Sequence, residues 1–326
     1  MSHLTNPLAT PAQLYALNTL NSPLPPDLQN SIRFYTARLT QAAGLLLRLS
    51  QDIAAQANIL LYRYWLVDPL LAWEFSDVSA SVLYLTAKIS ASPRSLRSIT
   101  NVYAYLLSPS SHLLPQPQTN PFATPPDPES YYLSETSYIN FRNRLLNIEG
   151  QILNALGFNT HVALPHPLAI TYLQTLDVFS SSAGKIVAKR TVEYLNTALL
   201  SPQMLYLTHQ PNALATAAIY LSAREEGVKL PETEWWEVFD VEREELGFLV
   251  VGVMSLEGVV RKERERWEHV DGEGKAVGMI TREMVREEMG RLGLNEGGGV
   301  GNGVVEEDEE AQMARLLDEK VAAVSA

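Results

Sequence analysis

The sequence predicts an all-α protein built as two tandem five-helix bundles, on three observations. Apolar residues recur at three- and four-residue spacing through most of residues 27–258, the period of a half-buried helix. Two segments, 75–90 and 211–226, carry apolar or small residues nearly all round, which suits the middle of a bundle rather than its surface. Those two segments also echo each other. Leu83-Tyr84-Leu85-Thr86-Ala87-Lys88 matches Ile219-Tyr220-Leu221-Ser222-Ala223-Arg224 position by position, as a duplicated helical unit would.

The elements follow in order. Residues 1–26, rich in Pro, Asn, Ser and Thr, are expected to form an irregular lead-in. Ile32, Tyr35, Leu39, Ala42, Ala43 and Leu46 mark a first helix from Asp27 to about Arg48. Ser50 and Asp52 start a second, Ile53 to Leu66, which Asp68-Pro69 breaks. The third spans Phe75 to Ser90. Ser92-Pro93, a cap followed by proline at the first helical position, starts a fourth that runs to about Leu107. Seven prolines between Pro109 and Pro128 exclude regular helix over 108–136, leaving a mobile loop. A fifth helix, Tyr138 to Leu156, ends at Gly157. Pro165-His166-Pro167 then punctuates the chain and the pattern begins again, with helices at 167–178, 185–200, 211–226 and 241–258 and a turn near Trp235 and Trp236. The expected organisation is therefore a lead-in at 1–26, a first domain at 27–160, a second at 161–262, and a largely flexible tail at 263–326. That tail holds a Gly-rich linker at 297–303 and an acidic run at 306–310.

Composition narrows the functions. The chain has 326 residues, enough for two domains of about 100–150 residues plus tails. The absence of cysteine removes disulfides, iron–sulfur clusters, cysteine–zinc sites and cysteine nucleophiles. The N-terminal residues lack the basic start and apolar core of a secretory signal. The late apolar run Leu246–Met254 is too short and too fenced by Glu244, Glu245 and Glu257 to cross a bilayer, so no membrane partner is expected. The net charge of −12 is uneven: residues 1–223 hold 12 Lys or Arg against 11 Asp or Glu, and most of the acid lies beyond Ala223. A near-neutral body with an acidic end argues against direct nucleic-acid binding, which needs a basic footprint.

Several constellations invite chemistry and do not carry it. His161 and His166, five apart with Pro165 between, lack the helical spacing and the companion ligands of a metal site. Gly298, Gly299, Gly301 and Gly303 follow no strand and precede no Lys-Ser or Lys-Thr, so they read as linker rather than phosphate loop. Arg94, Arg97, Arg142 and Arg144 are expected on a solvated face, with docking of acidic peptides or RNA the rival reading. Trp235, Trp236 and Trp267 read as packing anchors. No nucleophile motif is present. The expectation is a non-catalytic protein without cofactor or metal.

The ordered set of motifs resembles the cyclin family, and within it the L-type cyclins of transcription and RNA processing. Gln41-Ala-Ala-Gly-Leu-Leu-Leu-Arg-Leu49 is similar to the first-helix signature of that group. Leu85-Thr-Ala-Lys88, Pro93-Arg94 and Asn101-Val102 resemble the end of helix three and helix four, and Tyr138-Ile-Asn140 the start of helix five. Leu156-Gly-Phe158, His161-Val162, Pro165-His166 and Tyr172-Leu-Gln174 resemble the crossing into the second cyclin box. The resemblance covers about residues 27–262. It implies two cyclin boxes and a nuclear regulatory subunit that binds and activates a cyclin-dependent protein kinase as a heterodimer, in RNA polymerase II transcription or pre-mRNA splicing control. It also implies a kinase-facing surface at Lys88, Ile89, Glu149, Leu153 and Phe158. In the family, the lysine and glutamate lie side by side and reach backbone groups of the kinase's mobile helix, while the apolar positions supply burial.

Two departures stand against the resemblance. Ser90 and Ala91 occupy positions that are usually acidic, and the Arg-Ser-rich tail of animal L-type cyclins is replaced by Gly-rich and acidic sequence. The alternatives are a cyclin-fold adaptor that activates no kinase and a TFIIB-like general transcription factor core, which near-neutral charge and missing cysteines disfavour. Ser108-Pro109 forms a minimal site for a proline-directed kinase.

Overall fold

The computed structural model describes residues 4–108, 111, 113, 131–267 and 279–294. Among them are twelve α-helices, two 3₁₀ turns and no strand. The first bundle comprises α2 (Pro26–Leu46), α3 (Gln51–Tyr64), α4 (Phe75–Ile89), α5 (Leu96–Leu107) and α6 (Glu135–Ala155). The second comprises α7 (Pro165–Thr175), α8 (Gly184–Ala198), the single-turn α9 (Leu205–Thr208), α10 (Pro211–Glu225) and α11 (Arg243–Trp267). Most of the Pro-rich segment, the Gly-rich linker and the acidic run lie outside the described residues.

Each bundle is organised round the small-residue helix that the sequence marks. In α4, Val82, Leu83, Ala80 and Ala87 are fully buried, and α2, α3, α5 and α6 pack round them. In α10, Ala215, Ala217 and Ile219 take the same part between α7, α8 and α11. Small side chains let neighbouring backbones approach, and hydroxyls at the contacts need partners. Thr40 of α2 donates to the Thr36 carbonyl at 2.9 Å, so at 2.6 Å it accepts from Ser79 of α4. Ser79 in turn accepts from the Tyr103 hydroxyl of α5, also at 2.6 Å. One relay thus ties three helices, with each proton used once. The second bundle has a counterpart, Thr191 of α8 against Ser222 of α10 at 2.6 Å. Gly184 is required where α8 begins, because a Cβ there would stand 2.4 Å from the Val178 carbonyl oxygen.

Three expectations need correction. The lead-in is not wholly irregular: Pro11–Leu20 forms α1. Its start was encoded by Thr10-Pro11 and by Gln13, whose side chain answers Thr10 in a full capping box. The fourth helix begins at Leu96 under a Ser95 cap, not at Pro93. Arg94 is drawn back to cap the end of α2, donating to the carbonyls of Leu47 (2.9 Å) and Arg48 (3.0 Å), and this holds 93–95 out of the helix.

The third correction concerns the segment expected to be a flexible tail. Helix α11 continues to Trp267, and α12 (Arg282–Arg291) follows with Ile280, Val285 and Met289 buried. The far end of α11 is fastened to α2. The Trp267 indole donates to Ser31 Oγ at 3.2 Å, and the Tyr35 hydroxyl donates to the Glu263 carbonyl at 3.1 Å. The Arg282 amide, at the start of α12, meets the Glu74 carboxylate at the start of α4 (3.4 Å). No described helix is long and apolar enough to cross a membrane.

Glu263 is buried, and its Oε2 has no hydrogen-bond partner. Burial above all raises its carboxyl above the ordinary range, with Asp27 adding to this and Ser31, Arg266 and Lys262 opposing it. A carboxyl whose folded pKa is raised favours the fold below its unfolded pKa, and that contribution is lost as pH rises through the folded value. Glu263→Gln, which carries no charge, is therefore expected to exceed the wild type in stability at pH 7. The difference should fade toward about pH 4, where the free carboxyl is protonated in both states. Thermal melts of both proteins across that range check the sign. A wild type that is more stable at pH 7 refutes the account.

Candidate functional site

The C-terminal end of α4 and the C-terminal half of α6 lie side by side, and they bring the charged pair together. Lys88 Nζ stands 3.1 Å from Glu149 Oε1. The exposures are unequal: the lysine side chain is 54% exposed and the glutamate 7%. Ile148 and Ile152, its neighbours on α6, are both fully buried, and the nearly buried Glu149 carboxylate meets the half-exposed Lys88. Lys88 also lies over the Tyr84 ring one turn earlier, with Nζ 5.6 Å from the centroid. The pair presents donors above an acceptor in a fixed place, an arrangement able to bond backbone amide and carbonyl groups of another chain.

Apolar residues flank it. Ile89 is 52% exposed and Phe158 69% exposed, while Leu153 is partly buried and packs on the core. Phe158 is held outward by the way α6 ends. Gly157 (φ 56°) and Phe158 (φ 60°) are both left-handed, and the Phe158 amide donates to the Leu153 carbonyl at 2.9 Å. Glycine accepts that conformation freely, whereas a bulky residue is strained by it. Phe158 is thus a costly residue whose ring faces solvent.

Beside Ile89 opens a groove of about 510 Å³, between Asp52 and Gln56 of α3, Ser90 and Ala91 after α4, and His161 after α6. Ser90 closes α4, its hydroxyl donating to the Ala87 carbonyl (2.8 Å) and accepting from the Ser92 amide (3.0 Å). Sequence reasoning passed over the residue that fixes the far wall. Arg63, buried near the end of α3, donates to the His161 carbonyl (2.7 Å) and to Asn6 Oδ1 (3.2 Å). Asn6 itself pairs with both backbone groups of Ala163, each at 2.8 Å. Burial lowers the Arg63 guanidinium to about 10. A charge amid the apolar residues of α3 was the available signal; Asn6 had none.

The remaining sequence-marked residues have structural partners. His166 Nε2 bonds Asn196 Oδ1 at 3.0 Å, and no cluster of three metal-binding side chains exists among the described residues. Arg94 caps α2, Arg97 covers the Tyr138 ring at 4.3 Å, and Arg144 pairs with Asp77 at 2.9 Å, so three of the four arginines are engaged within the fold. Trp235 and Trp267 are buried. Ser108 is half-buried at the end of α5, its hydroxyl donating to the Tyr105 carbonyl at 2.7 Å.

Two tandem helical bundles, each round a small-residue helix, define the cyclin fold. In solved structures the chain resembles one in the yeast RNA polymerase II CTD kinase CTDK-1 complex, with TM-score 0.60 and 13% identity over 91% of this chain and 86% of that one. It also resembles one in the Chaetomium thermophilum CAK complex bound to ATP-γ-S, with TM-score 0.52 and 15% identity over 90% and 95%. No family model matches the chain. Its curated relatives include chicken (Gallus gallus) Cyclin-L1, 28% identical over 73% of this chain and 41% of the relative, and human (Homo sapiens) Cyclin-L2, 27% identical over 83% and 48%. The Caenorhabditis elegans cyclin L homolog cyl-1 is 28% identical over 76% and 51%. The chain is similar to L-type cyclins over most of its length and spans about half the length of those relatives.

The strain at Phe158 is testable. Phe158→Gly removes a left-handed bulky residue and should raise stability by about 0.5–1 kcal/mol, because glycine's freedom in the unfolded chain offsets part of the relief. A denaturant titration that shows a loss instead would mean the ring packs against the fold.

Proposed function

We propose that this chain is the regulatory subunit of a cyclin-dependent protein kinase and that it binds the kinase through the end of α4 and the second half of α6. The observation that carries the proposal is the Lys88–Glu149 pair, with a seven-percent-exposed acid under a half-exposed lysine and exposed Ile89 and Phe158 beside it. A kinase is active when its mobile helix swings inward and its glutamate meets the ATP-site lysine. A rigid surface that bonds that helix only in the inward position shifts the equilibrium toward it. Lys88 and Glu149 would fix the orientation, and Ile89, Leu153 and Phe158 would supply the burial. The chemistry would belong to the kinase.

Kinship with L-type cyclins supports a place in transcription or pre-mRNA splicing control, and hence in the nucleus. The two boxes would divide at about residues 160 and 161. A non-activating adaptor is the second reading, favoured by Ser90 and Ala91, which leave the rim of the surface without acid. Ser108 joins the proposal as a phosphosite of limited reach. A phosphate there would displace the bond to Tyr105 and set negative charge at the C-terminus of α5, so it would loosen that helix end rather than build a new contact.

The test is affinity capture of the wild-type chain from its native cells beside Lys88→Ala/Glu149→Ala, followed by a peptide kinase assay and a thermal melt. The wild type is expected to bring down kinase activity, and the double variant to lose it by about tenfold or more while remaining folded. Equal activity with both moves the interface elsewhere. Kinase protein without activity favours the adaptor. No kinase in either removes the proposal. Phosphopeptide mapping of the active complex tests Ser108, which leaves the account if it is unmodified.

A further inference from the structure

Helix α11 buries one face against α8 and α10 and turns the other outward. The outward face is not polar. Gly247, Phe248, Val251, Met254, Ser255 and Gly258 form it, with Phe248 59%, Val251 68% and Met254 59% exposed. The spacing is that of a helix seam, and the row continues outward to Glu244 at one end and Arg261 at the other. Solvent-facing glycine is unfavourable inside a helix. A Cβ at Gly247 or Gly258 would meet nothing within 4 Å, so nothing in this fold requires either glycine. Phe248 is not loose, since its ring stacks on His209 with centroids 5.4 Å apart.

The charge is polarised along the same helix. Its start is net acidic, with Asp240, Glu242, Glu244 and Glu245 against Arg243, and its end is net basic, with Arg261, Lys262, Arg264 and Arg266 against Glu263 and Glu265. The acids crowd one another: burial, and then Glu242 and Asp240, raise the Glu245 carboxyl. Lys262 and Arg266 are paired with Asp27 and Glu288. Glu244 and Arg261, both exposed, have no ion-pair partner among the described residues.

We propose that the outward face of α11 binds the same face of a second copy of this chain, antiparallel and about a twofold axis. About the midpoint between Gly252 and Val253, the Gly247, Val251, Met254 and Gly258 positions of the face pair with one another, while Phe248 stands opposite the partner's Glu257. Antiparallel pairing in that register sets Val251 against the partner's Met254, Gly247 against the partner's Gly258, and Glu244 against the partner's Arg261. The paired glycines let the two backbones approach and make room for the Phe248 rings. Every contact occurs twice, as a closed isologous interface demands. The net-acidic end of each helix meets the net-basic end of the other, with Arg243 opposite the partner's Lys262 as a like-charge exception. The chain's own C-terminal segment is a poorer occupant, because Glu306, Glu307, Asp308, Glu309 and Glu310 match only the basic end. The proposal involves the second bundle alone and stands apart from the kinase reading.

The test is sedimentation of the full chain over a concentration series from about 1 to about 200 µM, since one helix pair is smaller than a standard interface and suits a Kd on the order of 10 µM. Val251→Glu should remain monomeric throughout with an unchanged circular dichroism spectrum. Glu244→Arg and Arg261→Glu should each weaken self-association about tenfold, because each sets like charges opposite one another twice. Mixed in equal amounts, these two variants should associate with each other as well as the wild type does with itself. A wild type that is monomeric at every concentration overturns the proposal. So does a dimer that Val251→Glu leaves intact, or a mixture no stronger than its components. A monomer whose deuterium exchange over 247–258 rises when residues 295–326 are removed would make the C-terminal segment the occupant instead.

Discussion

Everything in this fold depends on burying two helices that have no polar face. Such a helix has to be surrounded, and its small residues decide how closely its neighbours come. In α4, Ser79, Ser81 and Thr86 are buried to within 1% of completely, and each hydroxyl must find a partner. Thr86 returns its proton to the Val82 carbonyl, and Ser222 in α10 does the same to Ala218. Ser79 instead takes the middle of the relay from Tyr103 to Thr40. The hydroxyls therefore act as register marks. A helix that slid by one turn would lose apolar contact gradually but would orphan hydroxyls at once.

That constraint delivers the candidate surface. Because α4 is fixed in register by α2 and α5, its last turn emerges at one place beside α6, and Lys88 meets Glu149 there. Asp77 and Arg144 tie the same two helices toward the other end of α4. The two ion pairs differ in kind. Arg144 donates to a carboxylate at the helix start, a structural pairing, whereas the half-exposed Lys88 covers a nearly buried acid. The fold's ion pairs and the candidate surface share a helix pair, with the strained Phe158 placed at its exposed end.

The helical elements were legible because periodicity and small-residue content act locally. Most helix ends lay within a few residues of the caps and prolines that mark them. The misreadings have long-range causes. Arg94 left the fourth helix because the carbonyls it caps belong to α2, about fifty residues earlier. The segment after Arg261 reads as charged and solvated, yet Trp267, Val285 and Met289 find apolar partners that no local pattern names. The site was legible only in part. Lys88 and Glu149 came from resemblance, and their 3.1 Å contact adds geometry the residues alone do not state. Arg63 and Asn6, which hold the wall of the groove, are ordinary residues made important by one backbone segment that each happens to meet.

The two bundles also show what duplication leaves free to change. The matching ends of α4 and α10 carry Lys88 and Arg224, so both copies keep a cation in the last turn, where the helix dipole favours it. Only the first copy has an acid buried beside that cation. In the second, Glu225 is turned outward and is taken by Arg190 of α8, with Nε to Oε2 at 3.1 Å, so the local charges answer one another at the surface. A surface whose charges are already matched and solvated gains little from a partner, whereas one that holds a buried acid under a half-exposed lysine has bonding capacity still to use. The same architecture therefore leaves a buried acid under a half-exposed lysine at the end of one bundle's central helix and a charge-matched end in the other, while the second bundle's exposed apolar residues lie on α11.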